Sequence, residues 1–285
     1  MANIYIIHII VLLKLGYVYN LTIMASEIDV HKLKVADCMT TNPITIQSDA
    51  MFPEATSLMA SKGIGNGNLI VTKNDDAIGI LTAREILQEL SLNREIPNKH
   101  IQYINIQLFI RLTPNDTIYS AAKSMISNKM RLLVFDDDNN NILAGIITSS
   151  NIVRAFSKTD SNPPIEHVMS NKIFDVGYDN SILKAVKTLY KRRIGSVIIT
   201  KDEKPYGIFT ERDLLTKVLL RGIELDEKVG DYSSQPLITA QHGIRANEAA
   251  NIMFINNMKR LPLTEDGKIV SIVTARDLVE AFQND

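Results

Sequence analysis

The chain repeats itself four times, and that repetition constrains its fold more than any other feature. A column of small and apolar residues, Phe52, Ala55, Thr56 and Met59, recurs as Ile118, Ala121, Ala122 and Met125. It recurs again as Ile182, Ala185, Val186 and Leu189, and then as Ala246, Ala249, Ala250 and Met253. Each set keeps the i, i+3, i+4, i+7 spacing that buries one face of a helix. A short apolar run follows each helix: "NLIV" at 68–71, "LLVF" at 132–135, "SVII" at 196–199 and "RLPL" at 260–263. Polar turns come next, and the Asp266-Gly267 pair marks a tight hairpin. A second strand then ends in "GILTARE", "GIITSSN", "GIFTERD" or "SIVTARD". The threonines fall at 82, 148, 210 and 274, separated by 66, 62 and 64 residues, so register survives along the chain.

Each unit therefore predicts strand, helix, strand, strand, helix, a β-α-β-β-α repeat of the mixed α/β (α+β) class, with the first strand of copy one near "PITI" at 43–46. The copies span about residues 33–90, 101–156, 165–219 and 228–283. One such unit is too small for a comfortable core, so neighbouring copies are expected to pair. The stretch "SKTDSNPP" at 157–164 cannot continue a helix and reads as a linker. Two separable pairs, 29–156 and 165–285, are expected on either side of it.

With 31 basic and 32 acidic side chains among 285 residues, a net charge of -1 offers no global attraction to nucleic acid or anionic membranes. Any bound anion must be held locally. The single cysteine, Cys38, can form no internal disulfide, which fits a reducing compartment and a cytoplasmic location. Residues 1–24 form an apolar extension outside the repeats. Ile4 to Met24 is long enough for a marginal membrane span but is interrupted by His8 and Lys14. The soluble character of "MASEIDVHKLKV" points instead to a start at Met24, and membrane association is expected only if residues 4–24 belong to the working protein. His8, His31, His100, His167 and His242 have no ligand spacing, so no metal site is expected.

The threonine-x-x-acid endings have two physical readings. In a capping box the threonine hydroxyl accepts from the third helical amide while the acidic side chain reaches back. That reading covers Thr210 with Asp213, Thr274 with Asp277, Thr82 with Glu85 and, less well, Thr148 with Asn151. It does not call for Arg84, Arg212 and Arg276 inside three of the four endings. A helix N-terminus welcomes phosphate, a guanidinium adds a forked contact, and a carboxylate accepts from ribose hydroxyls. Threonine, arginine and carboxylate together thus suit a nucleotide.

With the openings "VADCMTTNPITI" at 35–46 and "IEHVMSNKIFDV" at 165–176, these endings give four units that resemble CBS domains, small regulatory modules working as tandem pairs. The resemblance covers about residues 33–283. It implies two tandem pairs, with ribose and phosphate on the Thr-x-x-Asp endings and adenine on the preceding strands, here Ile194, Gly195 and Ser196, and Arg260, Leu261 and Pro262. "TERD" and "TARD" fit the pattern fully, so Thr210, Arg212, Asp213, Thr274, Arg276 and Asp277 are the stronger candidates. Thr82, Arg84, Glu85, Thr148 and Asn151 form the weaker set, because "TARE" carries a longer acid and "TSSN" lacks both acid and arginine.

The expected function is a stand-alone regulatory sensor. It would bind AMP, ADP, ATP or S-adenosylmethionine as a regulatory ligand rather than a cofactor, act on an unidentified partner protein and assemble as a homodimer. The alternatives are a partner-binding scaffold whose endings only cap helices, and a nucleotide-processing enzyme. Nothing in the sequence matches a nucleophile elbow, a P-loop or a metal-hydrolase motif, and no catalytic residue is expected. "GIGNGN" at 63–68 follows a helix and opens a strand, the reverse of a dinucleotide fingerprint, and reads as a loop. "DDDNNN" at 136–141 reads as a hairpin tip.

Overall fold

The computed structural model describes residues 32–62, 68–138 and 142–285, with the backbone alone of 5–12 and 18–25. Most of "GIGNGN" and the end of "DDDNNN" lie outside the described residues. The stretch read as a marginal span is laid out as two strands, β1 (Tyr5–Leu12) and β2 (Val18–Ala25), paired antiparallel, and not as one helix. Among the described residues no helix is long and apolar enough to cross a membrane.

The first repeat comprises β3 (Thr40–Thr41), β4 (Thr45–Gln47), α1 (Phe52–Ser61), β5 (Asn68–Lys73), β6 (Asp76–Thr82) and α2 (Ala83–Asn93). The second has β7 (Phe109–Leu112), α3 (Ile118–Asn128), β8 (Arg131–Phe135), β9 (Leu143–Ile147) and α4 (Ser149–Phe156). The third has β10 (Asp175–Gly177), α5 (Ile182–Arg192), β11 (Ser196–Lys201), β12 (Lys204–Thr210) and α6 (Glu211–Asp213). The fourth has α7 (Val229–Tyr232), β13 (Ala240–Gln241), α8 (Ala246–Ile255), β14 (Arg260–Glu265), β15 (Lys268–Thr274) and α9 (Ala275–Gln283). In each repeat a parallel strand and an antiparallel hairpin make one small sheet. The turns Asn74-Asp75, Asp202-Glu203 and Asp266-Gly267 all have positive φ at both residues, the form that matches the twist of the flanking strands. All sixteen residues of the helical column are buried, as their spacing predicts. One departure lies in the third repeat, where α6 passes into a wide π turn over Leu214–Val218 and a tight turn over Leu219–Arg221.

Consecutive repeats are joined by exchange of their opening segments. The amide of Phe52, at the start of α1, donates to Lys99 O from the approach to the second repeat, and Ile118 at the start of α3 donates to Leu33 O from the approach to the first. Ile182 and Ala246 do the same with Glu227 O and Pro163 O. These carbonyls serve helix-end amides that have no partner within their own helix. The exchange extends to the sheets. Ile80 bridges to Gln107, β3 pairs with β9, Ile208 bridges to Ser234 and Ile272 to Ser170. Ile70, Ile80, Leu133 and Phe135 pack where the sheets of the first two repeats meet.

The helices pack differently. The first and third repeats share one core, with Phe52, Met59, Leu87, Leu189, Phe209 and Val218 buried in it. The second and fourth share another, where Phe156 stacks on Phe282 with ring centroids 5.3 Å apart. The expectation of separable halves therefore meets two cores that each run across the 157–164 junction. A helix stripe demands cover, and the nearest apolar cover is the corresponding stripe of the other pair. The junction itself is tied down: Ser161 Oγ donates to Asp285, and Arg245 Nε to Asn162 O at 2.7 Å.

Candidate functional site

All four Thr-x-x-acid endings lie at a strand-to-helix corner and all four form capping boxes. Thr210 N donates to Asp213 Oδ2 at 2.9 Å and its hydroxyl donates to the same oxygen at 2.6 Å. Thr82 bonds Glu85 in the same way, both distances 2.7 Å. Thr274 N donates to Asp277 Oδ2 at 2.8 Å. Asn151 replaces the acid without loss of the cap, since its amide oxygen accepts from Thr148 N at 3.0 Å and Thr148 Oγ1 at 2.5 Å.

In three of the four corners the free end of the capping side chain meets the opening segment of the paired repeat. Gln107 donates to Glu85 Oε1 at 3.1 Å, and Asn151 Nδ2 donates to Cys38 O at 2.8 Å. Asp213 is the most heavily engaged: its Oδ1 accepts from Ser234 Oγ and pairs with Lys217 Nζ, both at 2.7 Å. Asp277 differs. Its bonds run to Thr274, and burial pushes its carboxyl above the usual aspartate range, against the lowering effect of those bonds.

The arginines do not stand open for phosphate as their sequence position suggested. Arg84 donates to Tyr190 O at 3.1 Å near the end of α5 and lies over the Tyr190 ring. Arg212 donates to Asn257 O at 2.9 Å, just past α8, and Arg276 to Met125 O at 2.5 Å, in the last turn of α3. Each guanidinium thus meets carbonyls at the negative end of a helix in another repeat. Ser150 occupies the equivalent place in the second repeat.

Thr82, Thr148, Thr210 and Thr274 all line one cavity of about 740 Å³ where the four repeats meet. Among the described residues its wall carries nine basic side chains against three acidic ones, Glu211, Asp213 and Asp277. In a chain of net charge -1 this is a strong local segregation of charge. Ile194, Gly195 and Ser196 line it as the sequence implied. Arg260 lies flat against Gly195, where a Cβ would come within 1.6 Å of its Nη2, and it pairs with Glu211 at 3.2 Å. Leu261 and Pro262, expected beside the base, are buried and do not line the cavity. Strand alternation turns Leu261 into the core shared by the second and fourth repeats.

Several cavity residues escaped the sequence reading, among them Lys129, Lys172, Arg193, Arg131 and Lys259. Arg131 donates to Asn68 Oδ1 at 3.1 Å, and burial, chiefly, holds its guanidinium below the usual range. Lys259 is pushed down to about 7, first by burial and then by Arg212, Arg260 and Arg131. A signal for Arg131 was present: across each hairpin the position opposite or next to the corner threonine holds Asn68, Arg131, Ser196 or Arg260. No group of three or more His, Cys, Asp or Glu among the described residues is placed to hold a metal ion.

Comparison with known proteins agrees with this architecture. The family model for the CBS domain matches residues 35–92, 95–158, 165–220 and 229–284. The uncharacterized protein MJ1225 of Methanocaldococcus jannaschii is 28% identical over 193 residues, 62% of this chain and 69% of that protein. The uncharacterized protein MK0525 of Methanopyrus kandleri is 42% identical over 102 residues, 34% of this chain and 52% of that protein. The crystal structure of MJ1225 superposes with a TM-score of 0.72 at 18% identity, covering 88% of this chain and all of that one. A conserved uncharacterized protein of Pyrococcus horikoshii superposes with a TM-score of 0.60 at 21% identity over the same shares. Four matches in register, on four sheets with exchanged opening segments, make the chain a member of the CBS domain family with four CBS repeats.

Proposed function

We propose that this protein is a regulatory sensor that binds an adenosine nucleotide in the central cavity and relays occupancy to a partner protein. The observation that carries the reading is the convergence of all four strand-to-helix corners on one cavity lined, among the described residues, by nine basic and three acidic side chains. The corner amides, hydroxyls and carboxylates suit a ribose, and the surrounding cations suit phosphates. Asp277 is the corner acid best placed to accept from a ribose, because Asp213 is already engaged by Ser234 and Lys217. The relative MJ1225, proposed to be an archaeal homolog of g-AMPK, supports a regulatory role.

The relay follows from the arginines. Arg212 and Arg276 hold carbonyls of other repeats, so a phosphate that recruits either guanidinium competes with a contact between repeats. Ligand affinity then differs between the latched and released arrangements, and that difference is what shifts a conformational equilibrium. Titration calorimetry with AMP, ADP, ATP and S-adenosylmethionine tests the reading. The cationic wall favours the phosphate-bearing ligands over the sulfonium cation. A folded protein that binds none of the four would instead support the scaffold reading, which has its own observation in the four completed capping boxes.

A further inference from the structure

The residue after each corner threonine is Ala83, Ser149, Glu211 or Ala275, so the third repeat alone carries an acid there. Across the hairpin, the position opposite or next to that threonine is arginine only in the second and fourth repeats, as Arg131 and Arg260. In each pair the arginine turns toward the preceding repeat. Arg131 Nε donates to Asn68 Oδ1 at 3.1 Å, the equivalent hairpin position of the first repeat, whereas Arg260 Nη2 pairs with Glu211 Oε2 at 3.2 Å. The result in the second pair is a closed contact around one glycine. Glu211 N donates to Gly195 O at 3.3 Å, which sets the acid beside the platform formed by Ile194, Gly195 and Ser196. The Arg260 guanidinium fills the space on Gly195 itself: a Cβ there would lie 1.6 Å from Nη2, 2.4 Å from Cζ and 3.0 Å from Nε. Any ligand atom seated on this glycine must therefore expel the guanidinium, as a larger side chain would. The ion pair that holds it is partly open to solvent, its side chains 25% and 28% exposed, so it biases the guanidinium but can be broken. All five residues of this contact line the central cavity.

We propose that Glu211 and Arg260 form a latch over the Gly195 platform, which admits a phosphorylated nucleoside and holds back the same nucleoside without phosphate. The inference rests on the nucleotide reading and names the feature of the ligand that the cavity selects. A phosphate competes with the Glu211 carboxylate for the same guanidinium, and its forked contact draws Arg260 off the glycine. The vacated platform then takes the flat base. A neutral nucleoside offers the guanidinium no replacement for Glu211, so it binds only the fraction of molecules whose latch is already open. The phosphate thus uncovers the surface on which the base rests, in addition to making a contact of its own.

The experiment is titration calorimetry of adenosine, AMP and ATP into the full chain, using native protein, Glu211→Gln and Arg260→Ala, each shown to melt cooperatively. Native protein should bind the nucleotides more tightly than adenosine. Removing the counter-charge in Glu211→Gln should tighten adenosine binding about fivefold, the effect of freeing a guanidinium held by a partly exposed ion pair. Arg260→Ala should tighten adenosine by at least as much while weakening both nucleotides, because the platform is clear and the phosphate contact is gone. An arginine that served only as a phosphate contact would leave adenosine binding unchanged in both variants, and that result overturns the latch while leaving nucleotide binding intact. Weaker adenosine binding by Arg260→Ala overturns it as well, since the guanidinium would then support the base rather than cover its place. If none of the three ligands binds native protein or either variant, the nucleotide reading falls and the latch falls with it.

Discussion

Replacing each aspartate by asparagine at the two C-terminal corners should produce opposite results. In Asp213→Asn the amide oxygen can still accept from Thr210, as Asn151 does from Thr148 in the second repeat. Its NH2 group, however, then faces Lys217 Nζ and the Ser234 hydroxyl, each 2.7 Å from the oxygen it replaces. Asp213 is 3% exposed, so the lost charge was poorly screened. Losing one charge-assisted contact costs about 1.5–3 kcal/mol, and stranding half of a buried pair costs about 3–5 kcal/mol. Because Lys217 keeps 31% of its side-chain surface, a loss of about 2–3 kcal/mol is expected. At about 2–4 °C per kcal/mol for a protein of this size, the melting temperature falls by about 4–12 °C. Asp277→Asn removes a charge that burial already disfavours. A raised folded pKa means the proton is held more tightly in the fold, so this aspartate costs stability at neutral pH and the cost disappears as pH falls through that pKa. At pH 7 the variant should therefore be as stable as the native protein or more so, and its advantage should vanish on acidification. It should nonetheless lose nucleotide affinity, because the carboxylate offered to ribose is gone. Urea unfolding at pH 7 and pH 4.5, with calorimetry of the folded variants, measures all of this. Equal destabilisation by both changes at pH 7 would refute the assignment of Asp213 to structure and Asp277 to ligand.

Three further outcomes follow from the packing. Phe156→Ala, which removes a ring stacked on Phe282, should cost about 3–5 kcal/mol, and scanning calorimetry should show the second and fourth repeats destabilised together. A protease cut within 157–164 should leave two fragments that co-elute on gel filtration, since both cores cross the cut; fragments that separate without denaturant would contradict the shared cores. Gly267→Ala, at a φ of 74°, should cost about 1–2 kcal/mol, detectable by urea unfolding without any change in ligand affinity.

Much of a single repeat was legible in the sequence because its rules are local. The four helical columns are buried because a spacing of three and four residues fixes one face regardless of what lies opposite. The turn at Asp266-Gly267 was readable for a similar reason, as few residue pairs adopt positive φ twice. What covers each face was not legible. Phe52 and Phe209 lie in one core although 157 positions separate them, and no periodicity encodes that partnership. The candidate site divides the same way. Thr210 and Asp213 announce a capped corner, whereas the charge of the cavity depends on Arg131, Lys259 and Arg260, which come together only when the second and fourth repeats meet. Arg212 and Arg276 show the remaining difficulty: the sequence placed them at the corners, but their carbonyl partners lie 45 and 151 residues away.

The exchanged opening segments also set an order of events during synthesis. When the first repeat leaves the ribosome, the start of α1 still awaits Lys99, and the edge at Ile80 awaits Gln107. The third repeat waits in turn for Glu227 and Ser234. Each odd-numbered repeat is therefore born with an exposed edge and an open helix end that only its successor closes, and such edges invite pairing with other chains. The cores shared between pairs come later still, since the second repeat's helices cannot be covered until Val279 and Phe282 have been made. Synthesis of α9 (Ala275–Gln283), rather than of the second repeat itself, completes the cover over the second repeat's helices.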